Sequence, residues 1–127
     1  MALDVTKFTV HLRSAAKKNS EAKCALRVRE ALEAGGATIS GVRPAHAKDW
    51  GATLLRMGFR ELRVDRPETF AFEAGDVVVL QPYGGGNKSG HIAAYDGAAW
   101  ISDFVQRDFW SGPGYRKGKP SHVFYRP

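Results

Sequence analysis

The chain has 127 residues, a length that suits a single domain spanning 1–127 with one hydrophobic core, held without disulfides or structural metals. At 43% hydrophobic and 25% charged residues the composition is that of an ordinary globular protein, which excludes low-complexity, collagenous and disulfide-scaffold chains. A net charge of +6 favours an anionic partner, but the basic residues are scattered and no nucleic-acid recognition motif accompanies them.

The single cysteine cannot form an internal disulfide, so nothing demands an oxidising compartment. The N-terminal residues Met-Ala-Leu-Asp-Val-Thr-Lys-Phe lack a basic segment followed by an apolar run, so synthesis in the cytosol without a signal peptide is expected. No apolar stretch approaches bilayer length, and no membrane insertion is expected.

Residues 4–18 carry Val5, Phe8, Leu12, Ala15 and Ala16 at helical spacing, with Asp4 as a cap. Thr6, Phe8 and Val10 also alternate, which leaves a short strand open. Residues 20–36 predict a helix that begins almost at Cys24. Cys24, Ala25, Val28, Ala31 and Leu32 form one apolar stripe, while Arg27–Glu30 and Arg29–Glu33 lie at pairing distance. Asn19 or Ser20 can cap its start, and Gly35-Gly36 can stop it. Leu26 falls on the polar side without a local reason. A thiol in a first helical turn feels unpaired N–H groups that favour thiolate and can hold an oxyanion. The same pattern also describes an inert core cysteine.

Gly41 and Pro44 predict an irregular connection before a helix over residues 47–57, which Gly58 ends. Phe59, Leu62 and Val64 suggest an extended segment. The period then changes. Residues 77–81 are a β-branched run, and further strands are predicted over 90–96, 99–105 and 121–125. Residues 110–120 read as a basic aromatic loop. Helices followed by an antiparallel meander give an α+β fold. Gly84-Gly85-Gly86-Asn87-Lys88-Ser89 lacks the glycine before lysine and precedes a strand, so it reads as a hairpin connection and not a phosphate cradle.

Cys24 needs a base. Of His11, His46, His91 and His122, no pair has the spacing of a helical metal motif, and neither a metal nor another cofactor is expected. His91 opens a strand directly after Gly90; His46 reads as a surface residue that could stand behind the base. Asp96-Gly97 marks a hairpin turn. A three-residue loop sets His91 opposite Asp103, and a two-residue turn sets it opposite Ser102. From spacing, both remain open.

Four pieces in order resemble a known family: Cys24-Ala-x-x-Val-Arg-x-Ala-Leu-Glu-Ala-Gly-Gly, Gly75-Asp76-Val-Val-Val, Gly90-His91-Ile-Ala-x-Tyr-Asp-Gly, and Trp100-Ile-Ser-Asp103-Phe. Together with residues 106–116 they are similar to the CHAP/NlpC-P60 superfamily of papain-like cysteine amidases and peptidases, above all to short antibacterial toxin domains of type VI secretion and Rhs-type proteins. The resemblance implies a papain-like fold with N-terminal helices packed on a C-terminal antiparallel sheet. It implies Cys24 as nucleophile, His91 as general base and Asp103 as polar orienter, with a peptidoglycan stem-peptide amide as substrate. Trp110, Tyr115, Arg116 and Lys117 could line the groove and grip wall anions. It further implies export by a dedicated machine to a target cell's periplasm or wall, and a cognate immunity protein. Arg27 stands where relatives often carry an aromatic residue, and Ala22 where a glycine often precedes the cysteine. A basic nucleic-acid-binding module and a non-catalytic wall-binding domain are the rival readings; nucleic acid is not the expected partner.

Overall fold

A computed structural model describes residues 3–39 and 43–127. The breaker Gly41 lies outside the described residues. Helix α1, Val5–Ala15, starts where the Asp4 carboxylate accepts the Lys7 N–H at 3.0 Å. It buries Phe8 and Leu12 and turns Val10 to solvent, so the helical spacing prevails over the alternating one. Helix α2, Cys24–Ala34, buries Val28, Ala31 and Leu32. Both expected surface pairs form, Arg27–Glu30 at 2.9 Å and Arg29–Glu33 at 3.7 Å. A 3-10 turn, Ala47–Asp49, leads into α3, Trp50–Arg56.

Five strands follow in sequence: β1 (Arg60–Leu62), β2 (Val77–Leu80), β3 (His91–Tyr95), β4 (Trp100–Ile101) and β5 (His122–Arg126). The sheet order is β1-β5-β2-β3-β4, antiparallel at every pairing. The expected meander therefore holds only for β2-β3-β4. The last strand inserts between the first two, pairing with both, and Arg126 at its end carries an ion pair inward: its guanidinium donates to both oxygens of Asp76, at 2.8 Å each, and Asp76 is fully buried. That is the physical use of the Gly75-Asp76 pair.

The two sheet faces bury separate cores. Val77, Val79, Ile92, Ala94 and Ile101 face α1, α2 and α3, meeting Phe8, Leu12, Val28, Leu32, Trp50 and Leu54. Val78, Leu80, Ala93, Trp100 and Phe124 face the other way, onto Phe109 and Tyr115. This two-sided burial explains an unbroken apolar β2.

Two expectations for the C-terminal third need correction. The strand predicted over 99–105 stops at Ile101, and Ser102 N donates to the Phe104 carbonyl as the chain reverses. The basic loop contains a short helix, α4, Pro113–Gly118, with proline in its first turn and Lys119 closing it in the left-handed region.

Replacing Asp76 with alanine leaves Arg126 without its buried partner. The expected loss is about 3 kcal/mol of stability, read from the urea midpoint. A loss below about 1 kcal/mol, the range of an exposed pair, would mean that this ion pair does not clamp β5 into the sheet.

Candidate active site

Helix α2 has no side-chain cap of its own. Ser20 lies too far upstream; its hydroxyl accepts the Ala22 N–H at 3.3 Å instead. The first intrahelical bond runs from Arg27 N to the Lys23 carbonyl at 3.0 Å. The N–H groups of Cys24, Ala25 and Leu26 are therefore not used within the helix. All three residues line a cleft of about 460 Å³, shared with Ala45, Ala47, Ser89, Gly90, His91, Ser111 and Tyr115. Leu26, without a local reason in the helix pattern, has one here as a wall of this cleft.

His91 reaches the same cleft from the first position of β3. Gly90 before it has φ +72°, and a side chain there would meet the Leu80 carbonyl and Lys48, so only glycine lets the strand start at this place. Cys24 sits against the next residue: the Ile92 N–H faces its sulfur and favours thiolate, as do the N–H groups of Ala25 and Cys24. Burial acts against them and, as the largest influence, pushes the thiol above its ordinary value. Burial likewise holds the His91 imidazole below its ordinary value, against the raising influence of Gln106 and Asp103. The resting pair is thus a neutral thiol beside a neutral imidazole.

The hydrogen-bond partner of His91 is Gln106, while Asp103 acts on the ring through its charge. The hairpin turn takes four residues, 96–99, in which the Asp96 side chain accepts the N–H groups of Ala98 and Ala99 at 2.9 and 2.8 Å. Tyr95 consequently pairs with Trp100, a register that neither the two-residue nor the three-residue loop gives. When the chain reverses after Ile101, Gln106 N donates to the Trp100 carbonyl at 2.8 Å, and the Gln106 side chain comes back to His91. Its Oε1 lies 2.8 Å from His91 Nε2, and its own amide nitrogen donates to the Asp108 carbonyl at 2.9 Å. That second bond fixes which end of the amide meets the ring. Oε1 can only accept, so Nε2 carries the proton and Nδ1 keeps a free lone pair. Sequence reasoning missed Gln106 because its position depends on the reversal, for which the only local hint is the polar Gln-Arg-Asp following an apolar run.

Asp103 is instead fully buried at the other end of that reversal, where its carboxylate accepts the N–H groups of Glu21 at 2.6 Å and Lys23 at 3.1 Å. Of the four groove residues, Tyr115 alone lines the cleft. Its ring stands 5.9 Å from His91 and edge-on to Tyr83 at 4.7 Å. Burial, with Cys24 and Tyr83 adding to it, pushes its hydroxyl up to about 12, so it remains a donor. Arg116 is engaged by Asp108 at 2.8 Å, and Lys117 is exposed on α4. Trp110 belongs to a larger groove of about 810 Å³, with Phe70, Tyr95, Trp100 and His122. Cys24, the one cysteine of the chain, lines the smaller cleft and not this groove. His46 is exposed, bonded to the Ser89 hydroxyl at 2.8 Å, and does not line the cleft. Among the described residues, no three His, Cys, Asp or Glu side chains gather as a metal site, and no helix is long and apolar enough to cross a membrane.

Comparison with known proteins finds a close counterpart. The chain is 40% identical to one solved in the native type VI effector–immunity complex Tae3-Tai3 from Ralstonia pickettii, with a TM-score of 0.85 over 97% of this chain and 98% of that one. The selenomethionine form of the same complex matches at 40% identity and a TM-score of 0.81, over 94% and 99% of the two chains. No protein-family model matches the chain, and no curated protein does.

The electrostatics of the pair give a direct prediction. In an NMR titration His91 should remain neutral as pH falls below the ordinary 6.5, and Cys24 should remain a thiol up to at least the ordinary 9.0. Because the unfolded chain takes up the histidine proton first, His91 removes stability as pH falls through this window. A His91 midpoint above 6.5 would mean that an ion pair, and not the neutral pair, is the resting state.

Proposed function

This chain belongs to the Tae3 family of type VI effectors, and on that premise we propose that it is a papain-like cysteine amidase of peptidoglycan. It cleaves an amide of the stem peptide or cross-link, as an antibacterial effector. One observation supports this reading above others: a thiol at a helix start with free N–H groups shares a cleft with a histidine whose tautomer an amide fixes.

The chemistry follows from those atoms. His91 Nδ1 takes the proton from Cys24, and the thiolate attacks the amide carbonyl. The N–H groups at the start of α2, with the Tyr115 hydroxyl nearby, hold the oxyanion. The C–N bond then breaks as His91 returns its proton to the leaving amine, giving a thioester. Water attacks the thioester, His91 takes the water proton, and the acid leaves as the thiol is restored. Gln106 keeps Nε2 protonated and the ring oriented, which in this reading is the role the family resemblance implied for Asp103. Neither Arg116, held by Asp108, nor Trp110, in the larger groove, contacts substrate in this reading.

The likeness to an effector–immunity complex supports a cognate immunity protein as partner. It also supports delivery by type VI secretion machinery into the periplasm of a target cell, where the wall is the substrate.

Digestion of purified sacculi, with products read by mass spectrometry, tests the reading. Native protein should release cleaved stem peptides or opened cross-links. Cys24→Ala should release none, and Gln106→Ala should be slowed roughly 100-fold, the effect of a misplaced base. Intact sacculi after treatment with folded native protein would overturn the reading and redirect attention to salt-dependent nucleic-acid binding.

A further inference from the structure

From the buried carboxylate of Asp103 and the left-handed backbone of Ala22, we infer that Asp103 is a positioning residue for the nucleophile, a remote cap that holds the loop feeding Cys24 in a strained shape. The inference rests on the reading of Cys24 as nucleophile.

Ala22 has φ +59°, a conformation that disfavours any side chain bearing a Cβ. Its flanking N–H groups, of Glu21 and Lys23, both donate to the same Asp103 oxygen, at 2.6 and 3.1 Å. Bending the chain at Ala22 is what lets two N–H groups converge on one oxygen, forming a small anion-holding concavity. The Ser20 hydroxyl closes it, accepting the Ala22 N–H at 3.3 Å and standing 3.5 Å from the same oxygen. Asp103 is itself fixed: the Ser102 hydroxyl donates to its other oxygen at 3.2 Å, and its backbone carbonyl accepts the Lys17 N–H at 2.8 Å. A carboxylate 80 residues downstream of Lys23 thus takes the place of the side-chain cap that α2 lacks.

The arrangement has a chemical consequence. By using the N–H groups before Cys24, Asp103 fixes where α2 begins, and it leaves those of Cys24, Ala25 and Leu26 free to face the cleft. It also explains Ala22 itself. A glycine at this place would adopt the bend freely; here the carboxylate supplies what the alanine costs.

The test uses Asp103→Asn, Asp103→Ala, Ala22→Gly and the double variant Asp103→Ala/Ala22→Gly. The readout is the rate at which iodoacetamide alkylates Cys24 as a function of pH, beside sacculus digestion. Because both N–H groups share one oxygen, asparagine can keep both bonds, so Asp103→Asn should remain within about tenfold of native alkylation. Its profile should also move to lower pH, since the lost charge raises both Cys24 and His91. Asp103→Ala should fall roughly 100-fold through misplacement of the thiol. Adding Ala22→Gly should recover about tenfold, because glycine holds the bend unaided. Equal loss in Asn and Ala with no rescue by glycine would overturn the inference and give Asp103 a direct charge effect on His91. If Asp103→Ala does not fold, Asp103→Asn decides alone, with near-native alkylation supporting the cap and a loss near 100-fold refuting it. Alkylation reads the thiol whatever bond it cuts. Native protein that alkylates normally but leaves sacculi intact would overturn the wall-amidase reading and leave this inference standing.

Discussion

The start of α2 is pressed against the start of β3, and the rest of the molecule serves that contact. Val28, Ala31 and Leu32 bury the helix against Ile92, Ala94 and Ile101, so the helix cannot slide along the sheet without opening the core. The first turn then falls beside Ile92, with the thiol on its N–H and the imidazole of the preceding residue in the same cleft. Glycine at position 90 lets the strand begin there, and the ion pair between Arg126 and Asp76 holds β5 in the middle of the sheet that supports it.

Because this contact is buried, the pair it creates rests uncharged. Desolvation opposes thiolate and imidazolium alike, and the N–H groups around the sulfur offset only part of that opposition. In the proposed reaction charge develops mainly when substrate arrives, beside the free N–H groups of the helix start and with Tyr115 lining the same cleft. Such preorganisation is where most catalytic stabilisation arises. Gln106 contributes through a chain of hydrogen bonds from the Asp108 carbonyl through its amide to Nε2, which leaves Nδ1 as the basic nitrogen.

The elements whose cause is local were legible in the sequence. The stripes of α1 and α2, the β-branched β2 and the glycine-led β3 stand where periodicity put them, and Cys24 and His91 share a cleft. What escaped was set by tertiary contacts. A four-residue turn in place of two or three shifted the β3–β4 register, and the reversal after Ile101 then exchanged Asp103 for Gln106 beside the imidazole. The insertion of β5 rests on pairings with β1 and β2 and on an ion pair across 50 residues, none of which a local pattern encodes. Of the residues taken as one groove, Tyr115, Arg116 and Lys117 are divided because α4 turns successive side chains in different directions, and Trp110 lies before that helix.

The central claim is that His91 activates Cys24 within this contact. The most direct measurement compares iodoacetamide alkylation of Cys24 at neutral pH in the native chain and in His91→Ala. With the pair neutral at rest, His91 takes the thiol proton as the sulfur attacks, so the account predicts that the substitution slows alkylation by at least about tenfold. Equal rates in the two proteins would contradict it, leaving Cys24 a buried core thiol and His91 a histidine that happens to lie beside it.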